Sequence, residues 1–336
     1  MFTALLAAAL LFAAGCTSQP IIPAAPPAST ALAPAANPLA GKRVLVLGDS
    51  ITQDGRYVTF LEYYLQRLAP GAKCDLISIG LSSETVSGLT EPGATYPRPC
   101  ALERLDRALK AAKPQLVLAC YGMNDGIYAP SSPERLAAFN DGVRQLIATV
   151  RATGAELILI TPPVFDPVPL AGKTVPATAA RFGYGSAFYE GYDGVLAEFA
   201  AAEMSRHGLA GVTVIDLHTP MAAALAARRA TKPTFTFAKD GVHPGDAGHL
   251  LMARIIGAAL GLPLPATEPD SELARINADP IFDLVSTRRR LRSEAWLPFV
   301  GYTRDMSFKS AAVDASERAA KLLQGQIDAR LAEAKR

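Results

Sequence analysis

Two segments far apart in the chain contain the residue types of a nucleophile and its base. Residues 48–52 (GDSIT) contain Ser50, and residues 240–244 (DGVHP) contain Asp240 and His243. A serine hydroxyl is a weak nucleophile unless an imidazole takes its proton and a carboxylate orients that imidazole. On one loop, Asp240 is close enough to reach one ring nitrogen of His243 while the other nitrogen faces Ser50. The pattern predicts acyl transfer with these three catalytic residues.

Two further segments provide hydrogen-bond donors for the negatively charged oxygen that forms during acyl transfer. Such an oxygen is stabilised by donors that are already in place. Gly80 offers its backbone N–H with no Cβ in the way, and Asn124 offers its side-chain amide. The backbone N–H of Ser50 is the third candidate for this oxyanion hole. Taken alone, Gly80 could be a turn glycine and Asn124 a helix cap. Asp125 is expected to brace the loop that contains Asn124.

The segments that contain Ser50, Gly80 and Asn124 each follow a predicted strand. Apolar runs predict strands at 43–47, 74–79, 115–120, 156–160 and 212–216, and helices are predicted at 57–68, 99–112, 133–152, 188–207 and 246–260. Alternating strands and helices form a parallel sheet covered on both faces, with the chemistry at the carboxyl ends of its strands. The predicted fold class is α/β: a three-layer α/β/α sandwich of flavodoxin-like type with a five-stranded parallel sheet.

Two parts of the chain depart from this alternation. The Pro- and Gly-rich segment after residue 160, to about Tyr184, is predicted to loop over the carboxyl edge of the sheet. After Gly261 the alternation stops, and the rest of the chain is charge-rich with helical spacing of its apolar residues. We therefore predict a main domain at 41–262 and a helical C-terminal extension at 263–336. The basic run at 288–292 is expected to be the solvated face of a helix.

The four segments resemble the sequence blocks of the SGNH/GDSL hydrolase superfamily, which is named for its Ser, Gly, Asn and His. Ser50, Gly80, Asn124 and His243 match these four residues, and Asp240 precedes the histidine as it does in that family. The resemblance implies a hydrolase of ester bonds that works through an acyl-enzyme. This chemistry requires no cofactor.

Other stretches resemble a bacterial, exported, carbohydrate-esterase-like branch of that superfamily, often found beside polysaccharide-degrading genes. These stretches are residues 82–88 (SSETVSG), 96–100 (YPRPC), 103–106 (ERLD), 120–126 (CYGMNDG) and 288–291 (RRRL) with Trp296. The resemblance covers about residues 42–310 and implies that the substrate is an esterified carbohydrate. Arg98 is a candidate substrate-binding residue of the acyl or sugar pocket, and a salt-bridging surface arginine is the alternative.

The N-terminus predicts export. Residues 1–16 have the length of a secretory signal, and their last four (AAGC) resemble a bacterial lipobox in which Cys16 is the lipidated residue. An ordinary signal peptide is the alternative. Residues 17–40 carry no charge and many Ala and Pro residues, so they are expected to form a tether. The expected location is that of a bacterial lipoprotein, at the outer membrane or facing the periplasm.

Composition excludes other classes of protein. A chain of 336 residues that is 50% hydrophobic can bury a sizeable core, and a net charge of +2 gives no basic surface for nucleic acid. The histidines lack the spacing of metal ligands, so no metal is expected. His207, His218 and His249 are expected at the surface or at helix caps. A disulfide between Cys74 and Cys100 is left open.

The sequence leaves the substrate open among three interpretations. The first is a serine esterase that deacetylates a carbohydrate. The second is a lipase- or thioesterase-type acyl hydrolase, which would use the same residues. The third is a non-catalytic, membrane-anchored glycan-binding protein with a relict site, against which the intact Ser50, Asp240 and His243 argue. The expected partners are a glycan or small-molecule ester and, through the lipid anchor, a membrane.

Overall fold

The computed structural model describes residues 37–185, 187–301 and 312–334. The strands are β1 (Arg43–Gly48), β2 (Asp75–Ser78), β3 (Leu116–Cys120), β4 (Glu156–Ile160), β5 (Thr174–Val175), β6 (Phe188–Tyr189) and β7 (Val212–Ile215). The helices are α1 (Ser50–Asp54), α2 (Arg56–Leu68), α3 (Ala101–Ala112), α4 (Pro133–Ala152), α5 (Tyr192–Met204), α6 (His218–Thr231), α7 (Asp246–Ala259), α8 (Pro269–Asn277), α9 (Pro280–Val300) and α10 (Asp314–Glu333). The predicted signal peptide, Cys16 and most of the predicted tether lie outside the described residues.

Five strands form one parallel sheet in the order β2-β1-β3-β4-β7. All five predicted strands are present, and their ends differ from the prediction by at most one residue. Every residue of β3 is buried, as a central strand with both faces covered requires. The predicted α/β fold with a five-stranded parallel sheet is therefore confirmed. β5 and β6 pair with each other outside this sheet.

The strand order places a crevice at the carboxyl ends of β1 and β3. The chain passes from β1 to β2 on one side of the sheet and then crosses to β3 on the other side of β1. Gly48 and Cys120, the last residues of β1 and β3, are paired in register. Connections that leave two adjacent strands in opposite directions open a gap, where open α/β sheets bind ligands. The segments that contain Ser50 and Asn124 therefore begin side by side.

Helices pack around the sheet in two groups. α2 packs against α7 and α9, while α4 packs against α3 and α5. Two helices were not predicted. α1 has only five residues, too few to show a helical period, and α6 is mostly alanine (HTPMAAALAARRAT), which gives little contrast between its faces. None of the helices in the described part of the chain combines the length and the apolar character that a membrane crossing needs.

The C-terminal extension consists of α8, α9 and α10 and belongs to one compact unit with the α/β core. The prediction that residues 288–292 form a solvated face is wrong for three of the five. Arg288, Arg289 and Arg292 are only 6%, 9% and 2% exposed, because α9 packs against α2, β2 and α10.

Carboxylates from three elements pair with two of these buried arginines. Arg288 forms an ion pair with Glu62 of α2. Arg292 pairs with Asp75 of β2 at 2.7 Å and with Glu317 of α10 at 2.9 Å. These carboxylates lie far from α9 in sequence, so the local charge pattern could not reveal them. The ion pairs join the extension to the edge of the sheet.

Candidate active site

Ser50 is the first residue of α1 and follows β1 after a single residue, Asp49. The Oδ1 atom of Asp49 caps α1 by accepting a backbone N–H at 2.9 Å. Gly48 permits the close approach of β1, α1 and β3, since a Cβ there would lie 2.7 Å from the carbonyl oxygen of Cys120. This tight turn presents Ser50 at the crevice between β1 and β3.

Ser50, His243 and Asp240 form one continuous hydrogen-bonded chain. Ser50 Oγ lies 2.7 Å from His243 Nε2, and His243 Nδ1 lies 2.7 Å from Asp240 Oδ2. Asp240 Oδ1 accepts the backbone N–H groups of Val242 and His243 at 3.0 and 2.7 Å. The loop thereby fixes the carboxylate, and the carboxylate fixes the imidazole with its Nε2 atom toward Ser50. This arrangement suits a nucleophile and its general base.

The electrostatics of the loop favour a proton on the imidazole. The hydrogen bond with Asp240 raises the pKa of His243 above its ordinary value of 6.5, against the opposing effect of burial. Burial alone would raise the pKa of Asp240, but hydrogen bonds from the His243 ring and from backbone N–H groups lower it to about 2. Nearby, burial raises the pKa of Asp49 to about 7. A base that is stabilised when it gains a proton is what the first step of acyl transfer requires.

Asn124 follows β3 and lines the same pocket as Ser50 and His243. Its Oδ1 atom accepts hydrogen bonds from Arg98 Nη1 and from Tyr128 Oη, both at 3.0 Å. Its Nδ2 atom donates to the backbone carbonyl of Glu84 at 3.2 Å. An amide nitrogen carries two N–H groups, so one of them remains for an oxyanion in the pocket.

Asp125 braces the loop that contains Asn124. Its Oδ1 atom accepts the backbone N–H groups of Val86 and Ser87, both at 2.8 Å, and its Oδ2 atom accepts that of Gly122 at 3.0 Å. These bonds tie the loop after β3 to the loop after β2. Asp125 is fully buried, so it is placed to hold the loop rather than to react.

Gly80 is not brought together with the other predicted site residues. It packs against α1, where a Cβ on Gly80 would lie 2.3 Å from the backbone nitrogen of Gln53. It lines a separate cavity of about 240 Å³ together with Gln53 and Arg289. The absence of a side chain at Gly80 is thus required for the packing of the β2 loop on α1.

Ser82 and Ser83 line the pocket where the sequence placed Gly80. Ser83 has a φ of 66°, in the left-handed region that favours glycine. Sequence alone does not reveal this conformation, because a serine does not mark a left-handed position as a glycine does. The loop after β2 therefore reaches the pocket through Ser82 and Ser83, two and three residues beyond Gly80.

The pocket at Ser50 has a volume of about 220 Å³, and its walls include two tyrosines that sequence reasoning did not select. Tyr184 is 50% exposed, and its ring lies edge-on to that of His243 with 6.2 Å between centroids. Tyr128 is fully buried and follows Ile127, and both have a positive φ, 55° and 47°. Left-handed backbone at two consecutive residues with bulky side chains is strained, and such strain concentrates at functional sites.

A larger cavity of about 560 Å³ lies among α2, β2, α9 and α10. Among the residues that the structure describes, neither a serine nor a histidine lines it. Burial raises the pKa of the Cys74 thiol in its wall to about 11, which keeps that thiol protonated. The larger cavity therefore lacks the nucleophile and base that the smaller pocket has.

The remaining histidines and the three described cysteines lie outside the pocket. His249 is 2% exposed and pairs with Asp54 at 3.2 Å, so its predicted position at the surface or at a cap is wrong. His218 is buried at the first residue of α6, and His207 is exposed. Within the described ranges the cysteines are free thiols, and no group of three or more potential ligands is arranged to hold a metal ion.

A family profile matches the part of the chain that forms this site. It is that of the GDSL-like Lipase/Acylhydrolase family, and the match spans residues 46–251, more than half of the chain. The matched region includes Ser50, Asn124 and His243. No curated protein matches the chain by sequence.

Solved structures share the fold at low sequence identity. BT4096, a gut microbial diltiazem-metabolizing enzyme, has a TM-score of 0.51 and 18% identity over 68% of this chain. The chain spans about half the length of that enzyme, since the match covers 48% of it. A catalytic mutant of Axe2, an acetylxylan esterase from Geobacillus stearothermophilus, has a TM-score of 0.50 and 20% identity over 68% of this chain and 98% of its own.

The family match and the fold agree with the resemblance that the sequence blocks indicated. The profile begins within β1 and ends within α7, so it includes the second half of β1 and the other four strands of the parallel sheet. The chain belongs to the GDSL-like lipase/acylhydrolase family of ester-bond hydrolases.

Proposed function

We propose that the protein is a serine esterase that works through an acyl-enzyme. The observation that carries this proposal is the pair of 2.7 Å hydrogen bonds that link Ser50 to His243 and His243 to Asp240 at the wall of a pocket. The amide of Asn124 lines the same pocket. This arrangement supports the proposal, because acyl transfer requires a nucleophile, a base, an orienting carboxylate and an oxyanion donor close to one another.

In the first half of the reaction, Ser50 Oγ attacks the ester carbonyl while His243 Nε2 takes the hydroxyl proton. The carbonyl oxygen becomes an oxyanion, which accepts hydrogen bonds from the Ser50 backbone N–H and from Asn124 Nδ2, with the backbone of Ser83 beside it. Asp240 stabilises the imidazolium. As the tetrahedral intermediate collapses, the alcohol leaves with the proton from His243.

In the second half, a water molecule replaces the alcohol. His243 takes a proton from that water, and the hydroxide attacks the carbonyl carbon of the acyl-enzyme. The second oxyanion uses the same donors. Its collapse releases the carboxylic acid and returns the proton from His243 to Ser50 Oγ.

The test is the Ser50→Ala variant, measured with p-nitrophenyl acetate. Loss of the nucleophile of such a triad lowers kcat by several powers of ten. Ser205→Ala, at an exposed hydroxyl that bonds only the end of its own helix, is the matched control and should keep wild-type activity. A Ser50→Ala protein that keeps a tenth of the wild-type rate would contradict the assignment of Ser50 as the nucleophile.

We propose that the substrate is an O-acetylated carbohydrate. A pocket of about 220 Å³ fits a small acyl group and leaves a larger alcohol outside it. Tyr184, half-exposed beside His243, offers an apolar ring face and a hydroxyl, which suit a sugar. The acetylxylan esterase that shares the fold is described as acting on such a substrate.

A series of p-nitrophenyl esters of increasing acyl length distinguishes the classes of substrate. The proposal predicts the highest kcat/KM for acetate and a steep loss for longer chains. Highest activity on decanoate or longer chains would instead indicate a lipase or a related acyl hydrolase. Absence of turnover with every ester would indicate a binding protein.

We also propose that the protein is exported and anchored through lipid on Cys16. The support is the N-terminal sequence: a lipobox-like AAGC and the uncharged stretch at 17–40. The wild-type chain should partition with membranes, and Cys16→Ser should abolish lipidation and normal processing. A wild-type protein in the soluble periplasmic fraction with an unmodified N-terminus would contradict the anchor and leave the catalytic proposal unchanged.

A further inference from the structure

Arg98, which the sequence assigned to substrate, uses most of its hydrogen-bonding capacity on the protein. Its Nε atom donates to Glu91 at 2.7 Å, and its Nη2 atom donates to the other oxygen of that carboxylate at 2.5 Å. Its Nη1 atom donates to Asn124 Oδ1 at 3.0 Å and to the backbone carbonyl of Ser83 at 3.3 Å. A guanidinium has five N–H groups, so these four bonds to described residues use all but one of them.

The guanidinium is held rigidly between these partners. The side chains of Arg98 and Glu91 are only 8% and 14% exposed. The backbone N–H of Arg98 donates to Thr90 Oγ1 at 2.9 Å, and its guanidinium lies 5.6 Å from the centre of the Tyr128 ring. A two-pronged arginine–carboxylate pair of this kind fixes both the position and the plane of the guanidinium.

The contact between Arg98 and Asn124 bears on which end of the Asn124 amide faces the pocket. Because arginine only donates hydrogen bonds, the amide oxygen of Asn124 faces Arg98, and the amide nitrogen faces away from it. The backbone carbonyl of Glu84, which only accepts, holds the amide nitrogen at 3.2 Å and supports the same orientation, whereas the hydroxyl of Tyr128 can donate or accept. The positively charged guanidinium that donates to the amide oxygen also polarises the amide and strengthens its N–H groups as donors.

We propose that Arg98 is a positioning residue that acts through Asn124, with Glu91 as the group that holds Arg98 in place. The contact with the Ser83 carbonyl extends the same role to the loop after β2, whose residues Ser82 and Ser83 line the pocket. Arg98 thereby stabilises the oxyanion without touching the substrate. This inference rests on the proposed serine esterase mechanism.

A double-mutant cycle tests whether Arg98 acts through Asn124. Arg98→Met keeps much of the side-chain volume, and we expect kcat for p-nitrophenyl acetate to fall about 10- to 100-fold with KM within about threefold of wild type. The double variant with Asn124→Ala should be no more than about threefold slower than Asn124→Ala alone, because the groups act as a unit.

Three outcomes would overturn the inference. In the first, the two losses multiply in the double variant, so that Arg98 acts independently of Asn124. In the second, Arg98→Met raises KM and leaves kcat unchanged, which identifies a substrate contact. In the third, Ser50→Ala keeps its activity, which contradicts the proposed mechanism itself. The two failures can be told apart, because an inactive Ser50→Ala together with multiplicative losses would contradict only the role of Arg98.

Two further variants keep the test informative if Arg98→Met does not fold. Glu91→Gln retains Arg98 but weakens the two-pronged pair that holds its guanidinium. It should lower kcat several-fold in the wild-type background. In the Asn124→Ala background it should cause no additional loss. If the losses from Glu91→Gln and Asn124→Ala multiplied fully in the double variant, that result would also contradict the inference. Arg144→Ala, at an arginine that is 68% exposed and pairs only within its own helix, is the matched control and should behave as wild type.

Discussion

At the scale of single residues, Asp240 shows how one short loop can supply both the base and the group that orients it. One carboxylate oxygen accepts two backbone N–H groups of its own loop, and the other accepts from the ring of His243. These bonds lower the pKa of Asp240 to about 2, although burial opposes this, so the carboxylate is ionised near neutral pH. The geometry of the imidazole therefore does not depend on a proton on Asp240.

The pH dependence of catalysis follows from His243. The imidazole must be neutral to accept the proton of Ser50, and its pKa lies above 6.5 because of Asp240. Activity is thus present above that raised pKa and is lost as the pH falls through it, which predicts an acid limb of kcat/KM with a midpoint above about 6.5. Asp240→Asn should move this limb to lower pH and lower the plateau by about 10³- to 10⁴-fold.

A second group near the imidazole also has a raised pKa and requires a control. Burial raises the pKa of Asp49 to about 7, and Asp49 lies directly before Ser50. Asp49→Asn keeps a capping side chain for α1, so it should shift the acid limb less than Asp240→Asn does. An acid limb that moves with Asp49→Asn and stays in place with Asp240→Asn would contradict the assignment of the limb to His243.

Asn124→Ala tests the oxyanion donor. The amide is expected to matter mainly in the transition state, when the carbonyl oxygen carries charge. The kcat should fall by about 100- to 1000-fold, with little change in KM, in steady-state kinetics with p-nitrophenyl acetate. A higher KM at an unchanged kcat would instead identify Asn124 as a contact for the bound ester.

At the scale of elements, the strands were predictable and the loops that carry the chemistry were predictable only in part. Apolar runs bounded by turn residues gave all five strands of the parallel sheet, since burial on both faces leaves a strong local pattern. The position of Asn124 after β3 followed from the same pattern. The same pattern could not predict which residue after β2 lines the pocket, because the path of that loop depends on its contacts with α1 and with Asp125.

Gly80→Ala distinguishes a packing role for this glycine from a role in the pocket. A Cβ at Gly80 would lie 2.3 Å from the backbone of α1, which cannot move away as a flexible side chain could. We expect a loss of about 1–3 kcal/mol in the free energy of unfolding, measured by urea denaturation. Gly71→Ala has no atom within 4 Å of its new Cβ and is the matched control. Equal stability of the two variants would contradict the packing role.

At the scale of the whole molecule, ion pairs join the C-terminal extension to the α/β core, and these pairs could not be predicted from the local sequence. A run of arginines is usually solvated, and only the fold shows that carboxylates of α2, β2 and α10 pair with two of its members, Arg288 and Arg292. Arg98 illustrates the same limit at the pocket. Its partners Glu91, Ser83 and Asn124 come together only when the loops after β2 and β3 meet.

Arg292→Met tests the attachment of the extension. It removes the partner of Asp75 and Glu317, each 32% exposed, so the cost should lie somewhat below that of breaking a fully buried pair, at about 2–3 kcal/mol of unfolding free energy. Arg290→Met, on the same helix at 64% exposure, should change stability by less than about 0.5 kcal/mol. Urea denaturation of both variants gives the comparison, and equal losses would contradict a specific role for Arg292.

The most direct test of the central claim is the site of covalent labelling by a fluorophosphonate probe. Such a probe reacts with a serine that a neighbouring base activates, so it reports the nucleophile without any assumption about the natural ester. Peptide mass mapping of the labelled wild-type protein should place a single adduct on Ser50, and the Ser50→Ala variant should remain unlabelled. An adduct on another residue, or labelling of Ser50→Ala at the wild-type rate, would contradict the account.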